Sequence, residues 1–334
     1  MSSEVVTLAH GGGGSLMREL LVRQVFPVLG VVEAGEDAAW VGDGLLMTTD
    51  SFVVKPLFFP GGDIGKLAVY GTVNDLAMRG ARPLALTVGL IVEEGLGLEV
   101  LEEVLASLAE AAEECEVPII GGDTKVVEAG RGDGLYINTA GLGQAVAPHE
   151  DLPSLARAQP GDAVLVSGPM GEHGVAVLAA REQLGFAAEV MSDCAPLHEM
   201  ALVLVGELGT DVHCLHDPTR GGLAAALNEI AQTSAVGLRV YEAALPRQEA
   251  VEVACELLGF DSLQVANEGK LVAVVAKRSA EDALALMRAD ARGSQSALVG
   301  EVMLEVAGRA EVLTGLGTRR VLEMPSGELL PRIC

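Results

Sequence analysis

The sequence predicts an α+β protein, with mixed α/β layers, divided into two domains. Three observations lead to this fold class. The chain has 334 residues, which is enough for two hydrophobic cores. Short apolar runs typical of strands lie between longer segments whose apolar residues recur at helical spacing. These strands and helices do not alternate strictly, so the pattern favours α+β layers over a doubly wound sheet.

The N-terminal domain is predicted to span 1–150. Its strands are expected at 45–49, 84–93, 117–122 and 135–145, and its helices at 63–81 and 98–116. The third strand is expected to end in the sequence Gly-Gly-Asp at 121–123. A segment with two prolines at 149–161 is interpreted as the linker to the next domain.

The C-terminal domain is predicted to span 151–324. Strands are expected at 163–167, 212–215, 237–240, 271–275 and 297–303, and helices at 174–184, 221–232 and 280–289. The remaining residues, 325–334, are predicted to form a mobile tail that ends in the thiol of Cys334. Fully extended, this tail could reach about 30 Å, at ~3.3 Å per residue.

Composition excludes several classes of function. The net charge of −25 argues against nucleic acid and anionic membranes as partners, although a nucleotide can still be bound with a metal and a few cations. No apolar run approaches the roughly 20 residues of a membrane span, and no signal peptide is evident, so a cytoplasmic protein is expected. The five cysteines show no C-x-x-C spacing, which favours reduced thiols over a zinc ribbon or disulfide scaffold.

Three acids suggest a magnesium site. Asp50, Asp75 and Asp123 each follow an apolar stretch and have threonine, asparagine or glycine as a neighbour. Carboxylates that converge at one rim of a sheet suit Mg²⁺, which prefers carboxylate and phosphate oxygens. Each acid by itself is equally consistent with a turn or a helix cap. The histidines at 213 and 216 face opposite sides of a predicted strand, so a metal site made from them is not favoured.

Glycine-rich segments suggest phosphate binding. The run 10–15 precedes a helical pattern and could present backbone N–H groups to an anion. The segment 60–67 resembles a P-loop, but its glycine spacing is wrong and Leu67 replaces the required Ser or Thr. The turn at 217–223 opens a helix and is either another anion site or an N-cap. Glu268, in an Asn-Glu-Gly-Lys segment before a buried strand, is a candidate general base or part of a polar turn.

Taken together, these motifs resemble the HypE family, the carbamoyl dehydratases of nickel–iron hydrogenase maturation. The resemblance covers essentially the whole chain, and its most specific parts are the terminal Pro-Arg-Ile-Cys and the Asn-Glu-Gly-Lys and Gly-Asp-Thr-Lys segments. The wider superfamily includes aminoimidazole ribonucleotide synthetase, selenophosphate synthetase and thiamine-monophosphate kinase. The matching segments are 49–52, 56–62, 74–75, 122–127, 137–141, 217–222, 266–271 and 331–334.

The resemblance implies an aminoimidazole ribonucleotide synthetase-like fold whose N-terminal sheets pair in a homodimer. It implies that HypF carbamoylates Cys334, that ATP activates the amide oxygen, and that loss of phosphate leaves a thiocyanate whose cyano group passes to HypC–HypD. Glu268 is then the first candidate for the base, with Lys125 positioning or relaying. Mg²⁺ is assigned to Asp50, Asp75 and Asp123, and the nucleotide to Asp63, Lys66, Asn74, Gly122 and Asp217.

Two other functions remain open at this point. A small-molecule kinase of the same superfamily would turn over ATP without needing Cys334. A carrier or scaffold would hold a carbamoyl group on its tail without hydrolysing ATP. The aspartate and glycine segments disfavour the carrier, since a scaffold has no need for a polyphosphate site.

Overall fold

The structure, a computed structural model, describes residues 5–31, 35–185, 189–327, 330 and 332–334. Pro331, part of the terminal motif, lies outside the described residues. The strands of the N-terminal half are β1 (Ala39–Gly42), β2 (Leu45–Phe52), β3 (Phe58–Phe59), β4 (Gly62–Asp63), β5 (Ala81–Glu93), β6 (Ile119–Val127) and β7 (Leu135–Ala145). Five of them form one sheet in the order β1-β2-β7-β5-β6, while β3 and β4 pair separately. Within the larger sheet, β5 and β6 run parallel and the other neighbours antiparallel.

One long helix closes one face of this sheet. The helices of this half are α1 (Ser15–Leu20), α2 (Phe26–Leu29), α3 (Ile64–Met78) and α4 (Leu98–Glu114). Helix α3 is buried at nearly every position because the sheet and α4 of the N-terminal half pack against it. Its last turn, with Ala77 and Met78, enters the core of the C-terminal half, so α3 holds the two halves together.

A second sheet organises the C-terminal half. Its seven strands lie in the order β14-β13-β10-β12-β8-β11-β9. They are β8 (Ala163–Val166), β9 (Val212–His216), β10 (Gly237–Tyr241), β11 (Val272–Val275), β12 (Ala297–Met303), β13 (Arg309–Leu313) and β14 (Arg319–Leu322). The helices are α5 (Glu172–Glu182), α6 (His198–Leu208), α7 (Gly222–Thr233), α8 (Glu249–Leu258) and α9 (Ala280–Ala289).

The α+β prediction is confirmed, but one strand differs in a way that affects the site. The sequence suggested a strand ending at the Gly-Gly-Asp of 121–123, whereas β6 continues to Val127. It continues because β5 is long enough to offer a parallel partner as far as Glu93. Asp123 is therefore inside a strand and not at its end. Among the described residues, no helix is long and apolar enough to cross a membrane.

Strand β6 is the open edge of the N-terminal sheet. All of its residues except the last are exposed, and its apolar side chains Ile120 and Val126 are 68% and 69% exposed. An exposed apolar edge strand presents unpaired N–H and C=O groups that can pair with another chain.

Candidate active site

A cleft of roughly 1580 Å³, measured with its open mouth, lies where the two halves meet. The N-terminal half contributes Asp50 and Asp75 to its lining, and the C-terminal half contributes Asp217 and Glu268. The thiol-bearing Cys334 lines the same cleft. Four residues that the sequence singled out are thus brought together with the terminal cysteine. The glycine run also reaches the cleft, through Gly13 and Gly14.

The carboxylates in this cleft form a tight acidic cluster. Asp75 is partly buried and accepts a hydrogen bond from Thr48 Oγ1 at 2.9 Å. Burial raises its pKa well above the ordinary value, and the neighbouring Asp217, Asp50 and Asp37 raise it further. Burial and then Asp37 likewise raise the pKa of Asp217 to about 7. Crowded carboxylates of this kind relieve their mutual repulsion by binding a divalent cation, so the donor set fits Mg²⁺.

Asp37 and His216 join this cluster although the sequence did not identify either as part of it. His216 Nδ1 lies 2.9 Å from Asp37 Oδ2, and Nε2 lies 2.9 Å from Glu229 Oε2. Burial alone would lower the pKa of His216, but Asp37 and Glu229 raise it well above its ordinary value. The imidazolium therefore offsets part of the negative charge. Asp37, His216 and Asp217 each place a polar atom within 4.8 Å of the others, but an imidazolium has no lone pair for a metal, so the carboxylates are the available ligands.

His213 is on the other face of the same strand, as the sequence predicted. Its Nδ1 lies 2.7 Å from Asp162 Oδ2, in a hydrogen bond away from the cleft. The two histidines therefore do not form one site. The spacing correctly separated them, but it could not show that His216 would meet Asp37 from the distant N-terminal half.

Glu268 has the environment of a functional carboxyl group. It is 5% exposed, and its Oε1 has no hydrogen-bond partner among the described residues. Burial raises its pKa well above the ordinary value, and the nearby Asp217 and Asp50 add to this effect. A buried carboxyl with a raised pKa and an unused oxygen is suited to accepting and releasing a proton.

The loop that carries Glu268 is held rigidly by Asp193. The backbone N–H groups of Glu268 and Gly269 both donate to the Asp193 carboxylate, each at 3.2 Å. The same carboxylate lies 3.3 Å from Lys270 Nζ, which also pairs with Glu172 at 2.7 Å. Gly269 is required here because a Cβ would come within 1.7 Å of the Asp193 carbonyl oxygen. The Asn-Glu-Gly-Lys segment is thus a fixed platform for the carboxyl of Glu268.

Arg220 is a further cleft residue that the sequence did not assign. Its Nη1 donates to the carbonyl of Gly11 at 3.3 Å, and its Nη2 lies 4.0 Å from Asp50 Oδ1. Negative charge at the C-terminal residue Cys334 is the largest influence on the pKa of Arg220 and raises it, because a nearby anion stabilises the guanidinium. Its position in the Asp-Pro-Thr-Arg-Gly-Gly turn was the available signal. Arg220 lines the cleft together with the tail residue Cys334.

Two of the predicted site residues, Asp123 and Lys125, lie outside the cleft. Asp123 and Lys125 stand on the edge strand β6 with side chains 71% and 68% exposed. They form an ion pair with each other at 2.6 Å. Neither lines the cleft. Asp123 therefore does not lie beside Asp50 and Asp75 in this chain, because β6 is at the far edge of the sheet, and metal binding by Asp123 stays a prediction.

The strand register gives the physical reason. Asp50 pairs with Thr139, Thr139 with Val88, and Val88 with Gly122. Directly paired residues point to the same face, so Gly122 shares the face of Asp50, and Asp123 points to the opposite one. Asp123 is also three strands away, or about 14 Å at ~4.8 Å per strand.

Three other predicted residues have identifiable local roles or positions. Asp63 caps α3, with Oδ1 accepting from the N–H groups of Gly65 at 2.8 Å and Lys66 at 3.1 Å. Ser107 occupies its other oxygen at 2.5 Å. Asn74 uses its amide to hold the segment before α6, through Ala195 O at 3.1 Å and the N–H of residue 197 at 2.7 Å. Nucleotide binding by Asp63, Lys66 and Asn74 stays a prediction.

Comparison with known proteins places the chain in a family. Residues 35–145 match the N-terminal domain of AIR synthase related proteins, and residues 159–311 match the C-terminal domain. The chain is 47% identical to the carbamoyl dehydratase HypE of Rhizobium leguminosarum bv. viciae, over 98% of this chain and 95% of that protein.

Two solved structures share both sequence and fold with the chain. One is a HypE–HypF complex, with 47% identity, a TM-score of 0.87, and coverage of 91% of this chain and 99% of that one. The other is HypE in complex with ATP, with 45% identity, a TM-score of 0.84, and coverage of 98% and 100%. The chain therefore belongs to the HypE family of carbamoyl dehydratases, within the AIR synthase related proteins.

Proposed function

We propose that the chain is an ATP-dependent carbamoyl dehydratase of hydrogenase maturation that uses Cys334 as the carrier of its own substrate. The single observation that carries this proposal is the presence of three groups in one cleft. These are the terminal thiol of Cys334, the buried carboxyl of Glu268 and the acidic cluster that includes Asp75. A carboxamide on that thiol would lie beside both a proton acceptor and a site suited to a polyphosphate.

The chemistry follows from what dehydration of an amide requires. Hydroxide is a poor leaving group, so ATP first phosphorylates the oxygen of the S-carboxamide. The N–H protons must then be removed as phosphate departs with the former amide oxygen, which leaves the thiocyanate S–C≡N. Glu268 is the residue proposed to take a proton, because its raised pKa makes its carboxylate a stronger base than an exposed one. The tail keeps the carboxamide at a high local concentration beside this group.

Magnesium is a separate proposal. The acidic cluster, with Asp50, Asp75, Asp37 and Asp217 as the available oxygens, would hold Mg²⁺, which would neutralise charge on the ATP phosphates. In this proposal Asp217 is a metal ligand, whereas the family resemblance implied that it binds the nucleotide. A calorimetric titration with Mg²⁺ and a non-hydrolysable ATP analogue tests the assignment. Removal of Asp50 should weaken binding of both together.

We further propose a homodimer built on the open edge of the N-terminal sheet. The apolar, unpaired strand β6 supports it. In such a dimer Asp123 and Lys125 would face the partner copy, which would reconcile their exposure with the roles first expected of them. A monomeric mass in light scattering at micromolar concentration would contradict the dimer.

Mixing two inactive variants tests whether Lys125 acts across the dimer. If the site combines Glu268 of one copy with Lys125 of the other, a Glu268→Gln chain paired with a Lys125→Ala chain regains one intact site. Equal mixing should then restore about a quarter of the wild-type rate. If both residues act within one chain, the mixture stays inactive.

The proposed partners correspond to the first and last steps of the proposed reaction. HypF is the proposed carbamoyl donor, supported by the similarity to HypE in the HypE–HypF complex. The HypC–HypD complex is the proposed acceptor of the cyano group. Among the described residues, no cysteine takes part in a disulfide. A terminal thiol that carries a group works best in a reducing compartment, so the cytoplasm is the proposed location.

Mass spectrometry of the C-terminal peptide tests the function directly. After incubation with a carbamoyl donor, the peptide should gain a carbamoyl group and then lose one water only when ATP is present. A kinase would instead turn over ATP in a Cys334→Ala variant, and a carrier would keep the carbamoyl group unchanged with ATP. Glu268→Gln should accept the carbamoyl group and stall before water is lost. If it forms thiocyanate at the normal rate, Glu268 is not the base.

A further inference from the structure

The tail is docked inside the protein in this structure, and its backbone is recognised along its last residues. The N–H of Val53 donates to Cys334 O at 3.0 Å, and the N–H of Lys55 donates to Arg332 O at 3.2 Å. These two bonds continue the end of β2 as a short antiparallel pair. Between them, Ile333 is only 5% exposed and packs in the core cluster of the N-terminal half.

One side chain holds the last peptide group before the thiol. His173 is fully buried in the first turn of α5, and its Nε2 lies 2.8 Å from Ile333 O. Its Nδ1 lies 2.8 Å from Ser192 Oγ. The ring of Phe59 packs edge-on against it, with 5.3 Å between centroids. The imidazole is therefore fixed in orientation and aimed at the residue that precedes Cys334.

The hydrogen-bond network determines which tautomer His173 adopts. A carbonyl oxygen can only accept, so the proton must be on Nε2 for the bond to Ile333 to exist. Ser192 Oγ already accepts the N–H of Cys194 at 3.1 Å, which leaves its own proton free to donate to Nδ1. Burial lowers the pKa of His173, in keeping with a neutral ring. Ser192 thus selects the form of His173 that can hold the tail.

His173 and Glu268 belong to one rigid unit. The turn before α5 donates from Gly171 N to Asn267 Oδ1 at 2.7 Å, and Gly174 N donates to Ala266 O at 3.1 Å. From the other side, Asp193, the neighbour of Ser192, holds the N–H groups of Glu268 and Gly269. The loop of Glu268, the proposed base, is therefore bonded both to the segment that carries His173 and to the segment 192–193. Ser192 in that second segment also holds the His173 imidazole.

We propose that His173 is a positioning residue that latches the C-terminal tail by its Nε2–H bond to Ile333 O, and so sets the reach of Cys334 relative to Glu268. Arg332 and Ile333 give the tail general affinity through the strand-like pairing and apolar burial. The His173 bond fixes its register, since it grips the carbonyl one residue before the thiol. For its catalytic consequence this inference rests on the proposed dehydratase function. The docking of the tail can be measured without it.

The test compares two amide replacements in the full-length chain. His173→Asn keeps a polar atom near the Nδ1 position but cannot reach Ile333, whereas His173→Gln can place an N–H near the Nε2 position. Alkylation of Cys334 by iodoacetamide, read on the C-terminal peptide by mass spectrometry, reports how often the tail leaves the cleft. His173→Asn should raise this rate about three- to tenfold, the effect of one lost buried hydrogen bond, and His173→Gln should stay within about twofold of wild type.

Internal and matched controls separate the latch from a general loss of stability. Cys115 is 4% exposed, so its alkylation rises only if the fold loosens. His213→Asn removes another buried histidine hydrogen bond, the one to Asp162, and should leave the Cys334 rate unchanged. Loss of water from a preloaded carbamoyl group in a single turnover should slow in His173→Asn and recover in His173→Gln.

The outcomes are distinguishable. Wild-type rates in His173→Asn, or equal defects in the Asn and Gln variants, would show that the Nε2–H bond does not hold the tail. If alkylation changes as expected but no variant, including wild type, ever loses water, the latch stands and the dehydratase function fails. A defect in water loss alone, with unchanged alkylation, would also overturn the latch.

Discussion

Replacing Glu268 by glutamine should stabilise the free protein at neutral pH while it stops dehydration. The carboxyl group is 5% exposed, and its Oε1 has no hydrogen-bond partner among the described residues. Ionising it at this position is unfavourable because it is desolvated and lies near Asp217 and Asp50. Glutamine keeps the shape and removes the charge. The gain at neutral pH comes from removing the charge and should be on the order of 1–3 kcal/mol.

The pH dependence of the stability difference between wild type and Glu268→Gln follows from the raised pKa of Glu268. The pKa of Glu268 in the folded protein is raised above its ordinary value of 4.5. Below that value the group is protonated in both the folded and unfolded states, and wild type carries no penalty. As pH rises toward the folded pKa, the unfolded state releases its proton first, and wild type loses stability relative to the variant. The difference in unfolding temperature should therefore be small in acid and widen as pH rises.

Thermal unfolding monitored by circular dichroism, without nucleotide or metal, measures this difference. An increase of a few degrees is expected near pH 8, since 1 kcal/mol shifts the midpoint of a protein of this size by roughly 2 °C. Glu103→Gln is the matched control, because Glu103 is exposed on α4 and should change little. A less stable Glu268→Gln variant near pH 8, or a gap that does not depend on pH, would refute the reasoning.

Three further predictions follow from the same contacts. Asp75→Asn should raise the unfolding temperature without Mg²⁺, because it removes repulsion with Asp217, and should slow Mg²⁺-dependent ATP hydrolysis at least about tenfold. A phosphate-release assay and a melt on the same preparation check both halves, and a less stable variant would contradict the first. Gly269→Ala should lower stability by about 1–3 kcal/mol in urea unfolding, since its Cβ would meet the Asp193 carbonyl oxygen at 1.7 Å. An unchanged midpoint would mean that the loop can move. Cys334→Ala should bind the ATP analogue with wild-type affinity in calorimetry yet give no thiocyanate peptide, and weakened binding would show that the thiol supports the nucleotide site.

Local pattern was enough to predict the main elements. Helix α3 is apolar at helical spacing after a residue able to cap it, and Asp63 does cap it. Strands β5, β7, β11 and β12 are mostly apolar segments, which made them recognisable without knowledge of their partners. Strands β1, β13 and β14, and helices α6 and α8, were not predicted from the sequence. The fold class and the family were thus contained in the order and composition of short segments.

The chemistry of Cys334 and Glu268 was also visible in the sequence. A terminal cysteine and an Asn-Glu-Gly-Lys segment are recognisable because their residue types are unusual for their surroundings. The acids at 50 and 75 were recognised for the same reason. Which of these groups would share a cleft was expected from the resemblance, and the structure brings all four together.

Only the tertiary structure decided the pairings that cross the chain. Asp37 meets His216 across 179 positions, and His173 meets Ile333 across 160. No local pattern encodes such contacts, because they depend on how two sheets and α3 pack against each other. The position of Asp123 shows the same limit at shorter range. Its sequence neighbours suggested a metal ligand, but the register from β2 through β7 and β5 turned its side chain to the opposite face. A sequence specifies which groups are available, and strand register and domain packing decide which of them meet.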